Sequence, residues 1–141
     1  MVGKNVKISA GAIIKGPTII EDNCRIGNSV IGPYSHVMHD SIIGDHSTIA
    51  ESIVFEHCSI GNHCLLQESI VDGYSVMQDY ARVERHGLLG FKTRVGRHAR
   101  IFAGSRIWPG IEVNHEAVVE GDIFANVAWL KKEMQESRFW K

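Results

Sequence analysis

The sequence predicts an all-β solenoid: a parallel β-helix of about six or seven triangular coils, closed by one C-terminal amphipathic α-helix. Three observations predict it. Large aliphatic residues recur every six positions from Val2 to Val119, with only three steps of five. A small side chain stands two residues before almost every one of them. A glycine stands directly after many, and Asn or Asp often follows it.

The aliphatic series runs Val2, Ile8, Ile14, Ile20, Ile26, Ile31, Val37, Ile43, Ile49, Val54 and Ile60. It continues through Leu66, Val71, Met77, Val83, Leu89, Val95, Ile101, Ile107, Val113 and Val119. A period of six fits neither an α-helix nor a hairpin strand. The small partners include Ala12, Cys24, Ser29, Ser41, Ser47, Cys58, Cys64, Ser75, Ala81, Ala99 and Ser105. The short steps, ending at Ile31, Val54 and Val71, keep this spacing, so the missing residue comes from a turn. Alternate strand residues share a face, so aliphatic and small residue both point inward. Three strands and three corners then close a coil of 17 or 18 residues around stacked aliphatics. The glycines (Gly27, Gly44, Gly61, Gly96) are expected to supply permissive corner backbone. The following Asn28, Asp45 and Asn62 are expected to bond their own turn.

Residues 1–122 are assigned to the β-helix and 123–141 to the helix, where Val127, Leu130 and Met134 take helical spacing beside Trp129 and Trp140. Asp122 is the expected N-cap. The helix's expected role is to cover the last coil or an aromatic edge, since exposed strand edges need blocking.

Composition narrows the function classes. A net charge of −1 argues against a general nucleic-acid binder. No apolar run approaches the ~20 residues of a membrane span, and no signal-peptide pattern opens the chain. Three cysteines cannot all pair within one chain, which suits a reducing, cytoplasmic setting.

The aliphatic-Gly-x4 pattern resembles the hexapeptide-repeat left-handed β-helix; the handedness is implied by the resemblance alone. The segments Asn28-Ser29-Val30-Ile31, Asp40-Ser41-Ile42-Ile43, Glu51-Ser52-Ile53-Val54 and Glu68-Ser69-Ile70-Val71, with Ile107-Trp108-Pro109-Gly110, narrow it. Together they resemble the C-terminal domain of sugar-phosphate nucleotidylyltransferases, the NDP-sugar pyrophosphorylases, over roughly residues 2–122. The resemblance implies oligomerisation and ligand or effector binding without a bound cofactor. The family's catalytic domain carries a Gly-rich nucleotide loop that has no counterpart here, so these residues are not expected to transfer nucleotidyl groups. Val2 already lies inside the repeat, as in a free-standing module or a piece of a longer protein.

Two enzymatic readings compete with this one. Hexapeptide acyltransferases resemble one another in using a histidine as general base, and Tyr34 to Gly44 partly resembles their His-containing coil. Under that alternative the chain acylates a sugar or sugar phosphate from acetyl-CoA, with His36 or His39 as base. However, the Gly-Ala-Gly-Thr coil expected next is replaced by Ile49-Ala50-Glu51-Ser52-Ile53, and no coil carries a long insertion. His36 and His39 as plain solvated corner residues is the competing expectation. A γ-type carbonic anhydrase needs an H-x4-H pair, and the eight histidines contain none, so no metal is expected.

Registering the coils predicts two surface features and one interface. His46, His63, Tyr80 and His98 should form one corner column. Residues 26–81 hold seven acids and no Lys or Arg, whereas 82–106 hold seven Lys or Arg and one acid, Glu84. Sequence order is axial order in a solenoid, so the particle is polar end to end. Arg82 and Arg100 are expected at one corner position on successive coils, with Arg85, Arg94 and Arg97 around them. Stacked like charges invite a phosphate-bearing sugar or nucleotide, or the acidic band of a neighbouring subunit. Phe55, Tyr74, Phe91 and Trp108 are expected on one outer edge, as an interface for a homotrimer or homodimer.

Overall fold

A computed structural model describes residues 1–124; the expected helix, with Trp129 and Trp140, lies outside the described residues. The described chain forms 21 strands of two or three residues, arranged in three seven-stranded parallel sheets. Every third strand pairs with the next, so the sheets are the three faces of one coil wound seven times.

Each face stacks one column of the predicted aliphatics. On face 1 the column is Ile8, Ile26, Ile43, Ile60, Met77, Val95 and Val113. On face 2 it is Ile14, Ile31, Ile49, Leu66, Val83, Ile101 and Val119. On face 3 it is Val2, Ile20, Val37, Val54, Val71, Leu89, Ile107 and Ile123. From Ile20 to Val119 none of the series is more than 3% exposed. Each such burial is worth roughly 1.5–3 kcal/mol, so the columns are the dominant favourable term.

The small residues do more than fit a narrow axis. Ser47 Oγ donates to the Gly61 carbonyl at 2.6 Å and accepts the Cys64 N–H at 3.0 Å. Ser41 bridges the Phe55 carbonyl and the Cys58 N–H in the same way. A buried hydroxyl thus satisfies a corner carbonyl and an inward-facing amide of the next coil, groups that strand pairing leaves free.

The corner glycines behave differently from expectation. Gly27, Gly44, Gly61 and Gly96 do not take positive φ. The left-handed conformation falls two residues after Gly44, Gly61 and Gly96, on His46, His63 and His98, and at Tyr80 where Gln78 takes the glycine's place, at φ 57 to 64°. Glycine is needed for room: a side chain at Gly61 would place its Cβ 2.6 Å from Asp79 Oδ1. That space is taken by a ladder between coils. Asp45 accepts the Asn28 N–H at 2.8 Å, Asn62 the Asp45 N–H at 2.7 Å, and Asp79 the Asn62 N–H at 2.9 Å. The Asn/Asp residues therefore bond the preceding coil and not their own turn.

Asp122, expected as a helix cap, instead sits in the last strand of face 3, and Arg106 donates to both its carboxylate oxygens at 3.1 and 2.8 Å. That pairing holds its carboxyl below the usual range.

Candidate functional site

The third residue after each face-1 aliphatic stands at the corner between faces 1 and 2, one above the other. There His46 stacks on His63 with ring centroids 5.0 Å apart, His63 on Tyr80 at 4.6 Å, and Tyr80 on His98 at 4.7 Å. The rings cover one another's faces and leave their polar edges as one line along the helix axis.

Face 2 begins two residues further on, and its outward column is Ile13, Val30, Thr48, Leu65, Arg82, Arg100 and Val118. Arg82 and Arg100 are direct register partners, as expected, but they stand on strands and not at a corner. The reason is the pleat: Val83 and Ile101 turn inward, so the residue before each must turn out. Arg100 donates to Glu84 at 2.8 Å and lies over the Phe102 ring at 5.0 Å. Arg82 makes no ion pair among the described residues and faces the like charge of its neighbour. Column and arginine pair line one open groove of about 510 Å³, floored by Thr48 and Leu65. A depression of similar size on face 1, about 540 Å³, has Arg97 as its only Lys or Arg, beside Asp79.

The rest of the basic band does not join this groove. Arg85 lies at the corner between faces 2 and 3, 4.0 Å from Glu68. Arg94 stands on face 1 next in register to Glu112. Arg97 sits at the corner after face 1, where its backbone N–H donates to His115 Nδ1. A six-residue repeat sends successive basic residues to successive faces, so the band is a girdle around the coil with one doubled point, Arg82 and Arg100.

His36 is on a face-3 strand and not at a corner; its Nε2 lies 2.6 Å from Glu21. His39 is at the corner between faces 3 and 1, with Nδ1 2.7 Å from Asp40 and its backbone N–H donated to Glu21. The Asp40 carboxylate pushes the His39 pKa up.

The four aromatics share that corner but do not form one ribbon. Tyr74 meets Phe91 edge-on at 5.5 Å, whereas Trp108 packs against Phe124 at 5.7 Å. Phe55 is half-buried and stands at the same corner position as Trp108, with Asp72 and Gly90 between them. Tyr74 stacks on His57 at 4.7 Å, a partner that sequence reasoning missed although the 17-residue spacing pointed to it.

Parallel strands two or three residues long, a six-residue inward step and three equal faces define a hexapeptide-repeat β-helix. The model of one family, the GMPPB C-terminal domain, matches residues 1–77. That is more than half of the 141 residues, and the chain belongs to this family. It is also like the C-terminal β-helices of NDP-sugar pyrophosphorylases.

Relatives come from two sides. Bifunctional protein GlmU of Listeria welshimeri is 33% identical over 87 residues, covering 50% of this chain and 19% of its own length. The acyl-(acyl-carrier-protein)–UDP-N-acetylglucosamine O-acyltransferase of Ectopseudomonas mendocina is 26% identical over 100 residues, 69% of this chain and 37% of that protein. The chain therefore spans well under half the length of these relatives. Among solved structures, UDP-N-acetylglucosamine acyltransferase from Campylobacter jejuni superposes with a TM-score of 0.79 at 19% identity, over 88% of this chain and 57% of that one. The acetyltransferase domain of PglB from Neisseria gonorrhoeae gives 0.58 at 18% identity, over 84% of this chain and 51% of that one. At these identities the structures show a common fold. Among the described residues, no helix is long and apolar enough to cross a membrane.

Proposed function

We propose that this chain is the β-helical domain of a sugar-1-phosphate nucleotidyltransferase, where it assembles copies of itself and holds a phosphate-bearing sugar or nucleotide in the face-2 groove. The observation that carries the ligand half is the Arg82–Arg100 pair, two like charges in register beside the polar edges of His63, Tyr80 and His98. Glu84 answers Arg100 alone, so Arg82 stands beside a like charge with no counter-ion among the described residues; an anion would supply one, and charge-assisted contacts are typically worth ~1.5–3 kcal/mol. The family match and the likeness to GlmU support the assignment to a nucleotidyltransferase. The reading requires no resident cofactor, and three buried free thiols fit a reducing compartment.

The test is thermal stability at constant ionic strength with pyrophosphate, sugar phosphates and nucleotides. Binding to the native state raises stability by roughly 2.7 kcal/mol at a hundredfold excess over Kd. Arg82→Ala should remove the rise in Tm and leave the empty protein at least as stable, because Arg82 has no ion pair among the described residues to lose. Arg100→Ala should remove it too, at a cost under about 1 kcal/mol for the surface pair with Glu84. If Tm ignores every anion, the reading is wrong.

A second reading, a sugar or sugar-phosphate acyltransferase using acetyl-CoA, is favoured by one observation: His36 and His39 each have a carboxylate partner, the arrangement that orients a general base. The likeness to the UDP-N-acetylglucosamine O-acyltransferase of Ectopseudomonas mendocina supports it as well. Acetyl transfer to a panel of sugar phosphates, lost in His36→Asn or His39→Asn, would establish it over the first.

A further inference from the structure

The corner between faces 3 and 1 carries a second constellation, which the groove does not use. Two adjacent backbone columns meet there. One runs Asp22, His39, Glu56, Gly73 and the other Asn23, Asp40, His57, Tyr74, as the amide ladders His57 N–H to His39 and Tyr74 N–H to Glu56 require. Successive coils therefore present a two-by-two array in which imidazole and carboxylate alternate: His39 and Asp40 on one coil, Glu56 and His57 on the next. Within it His39 Nδ1 is 2.7 Å from Asp40 Oδ2, and His57 Nε2 is 3.9 Å from the same carboxylate. The three ligand atoms all lie within 4.8 Å of one another.

We propose that this corner binds a first-row divalent cation, zinc by its donor set, through His39 Nδ1, Asp40 Oδ2 and His57 Nε2, leaving an open position for water. Zinc bonds of ~2.0–2.1 Å to nitrogen and oxygen put tetrahedral ligand atoms about 3.3 Å apart, which the observed separations bracket. Small rotations of exposed side chains close the difference, while the backbone that carries them is fixed. Asp40 and His57 sit at φ 59 and 55°, and their amides are held by the preceding coil. Tyr74 stacks on the His57 ring at 4.7 Å and His39 meets it edge-on at 5.5 Å, so the imidazole is clamped with its Nε2 toward Asp40. Glu56 adds negative charge nearby; its carboxylate occupies the space that a side chain at Gly73 would fill. Two imidazoles with one carboxylate suit zinc, cobalt or nickel better than magnesium or calcium, which prefer all-oxygen shells. The His46–His63 stack has two imidazoles but no carboxylate ligand beside them, which makes it the natural control. Because the ligands come from two coils, the ion would also clip those coils together.

The experiment uses untagged protein titrated with Zn(II), and with Co(II) for its visible spectrum, at neutral pH. The expected result is one ion per chain, with Co(II) bands of a four- or five-coordinate site. Asp40→Asn and His57→Asn are the chosen variants, because asparagine accepts the left-handed backbone at both positions. Each should weaken binding by more than the ~10–100-fold that loss of an outer-shell group costs. His63→Asn should leave affinity unchanged. Absence of stoichiometric binding, the weak bands of an octahedral aquo-cobalt ion, or wild-type affinity in Asp40→Asn or His57→Asn would overturn the proposal. So would loss of binding in His63→Asn. None of these outcomes depends on whether the face-2 groove binds anions.

Discussion

Ser47 shows what a position two before an aliphatic must do. Its hydroxyl donates to Gly61 and accepts from Cys64, inside a core where water is absent. Ser47→Ala keeps the volume nearly constant yet strands a carbonyl and an amide, so urea unfolding should show a loss of about 1–3 kcal/mol. A loss below a few tenths would mean that the neighbours re-pair. The cysteines fill the same inward register: Cys58 and Cys64 donate to the Asp72 and Gln78 carbonyls, and burial pushes both thiols up to about 11. A raised native pKa favours the fold fully below the unfolded thiol pKa and is lost as pH climbs through the native one. Stability should therefore decline from about pH 8.5 to about pH 11, by up to about 1.4 kcal/mol per pH unit for each thiol. A Cys58→Ala, Cys64→Ala double variant should flatten that slope in unfolding measured at several pH values. The need for a small inward residue was legible in the sequence. Its hydrogen-bonding duty was not, because the groups it serves belong to another coil.

At the scale of the coil, the six-residue step disclosed every strand through Val119 and its inward residue, because a three-faced solenoid leaves the axis as the one place to bury an aliphatic. The corners were less legible. A glycine after an aliphatic suggested backbone freedom, yet the freedom is spent on His46, His63 and Tyr80, and the glycine makes space for the ladder of Asp45, Asn62 and Asp79. Gly44→Ala should therefore destabilise although its φ is ordinary, since the new Cβ collides with the Asn62 side chain and the Gly61 carbonyl. A cost of order 1–3 kcal/mol is expected, as for overpacking elsewhere. If Gly44→Ala melts with the wild type, the ladder can yield and this account of the corner fails. The arginines teach a related lesson. Register placed Arg82 beside Arg100 correctly, but counting charges along the chain merged residues that the coil distributes over three faces.

For the whole molecule, face 3 is the surface with most to hide. Its outward column includes Ile19, Ile70 and Leu88, 36 to 39% exposed, and Trp108 at the adjoining corner is 54% exposed. Apolar stripes of this kind, here interrupted by His36 after Ile19 and ended by Arg106 and Asp122, mark interfaces more often than solvent-facing surface. Light scattering should find a homodimer or homotrimer, and a Leu88→Glu, Trp108→Glu variant should fall to monomer with unchanged circular dichroism. A monomeric wild type, or an oligomer indifferent to both charges, contradicts the assignment of this surface. The end-to-end charge asymmetry was readable from the chain because axial order follows sequence order; the exposed aliphatics of face 3 were not, because outward strand residues follow no periodic rule.

An anion held as proposed would sit against Arg82 and Arg100 along the His63–Tyr80–His98 column. Histidine side-chain NMR during a pyrophosphate titration separates this site from the rest of the surface, since three of the eight histidines line the groove and five lie elsewhere. Ring signals of His63 and His98 should shift together and saturate, those of His36 and His39 should stay still, and Arg82→Ala should abolish the response. Saturable shifts confined to His36 and His39, or none at any histidine, would contradict the account.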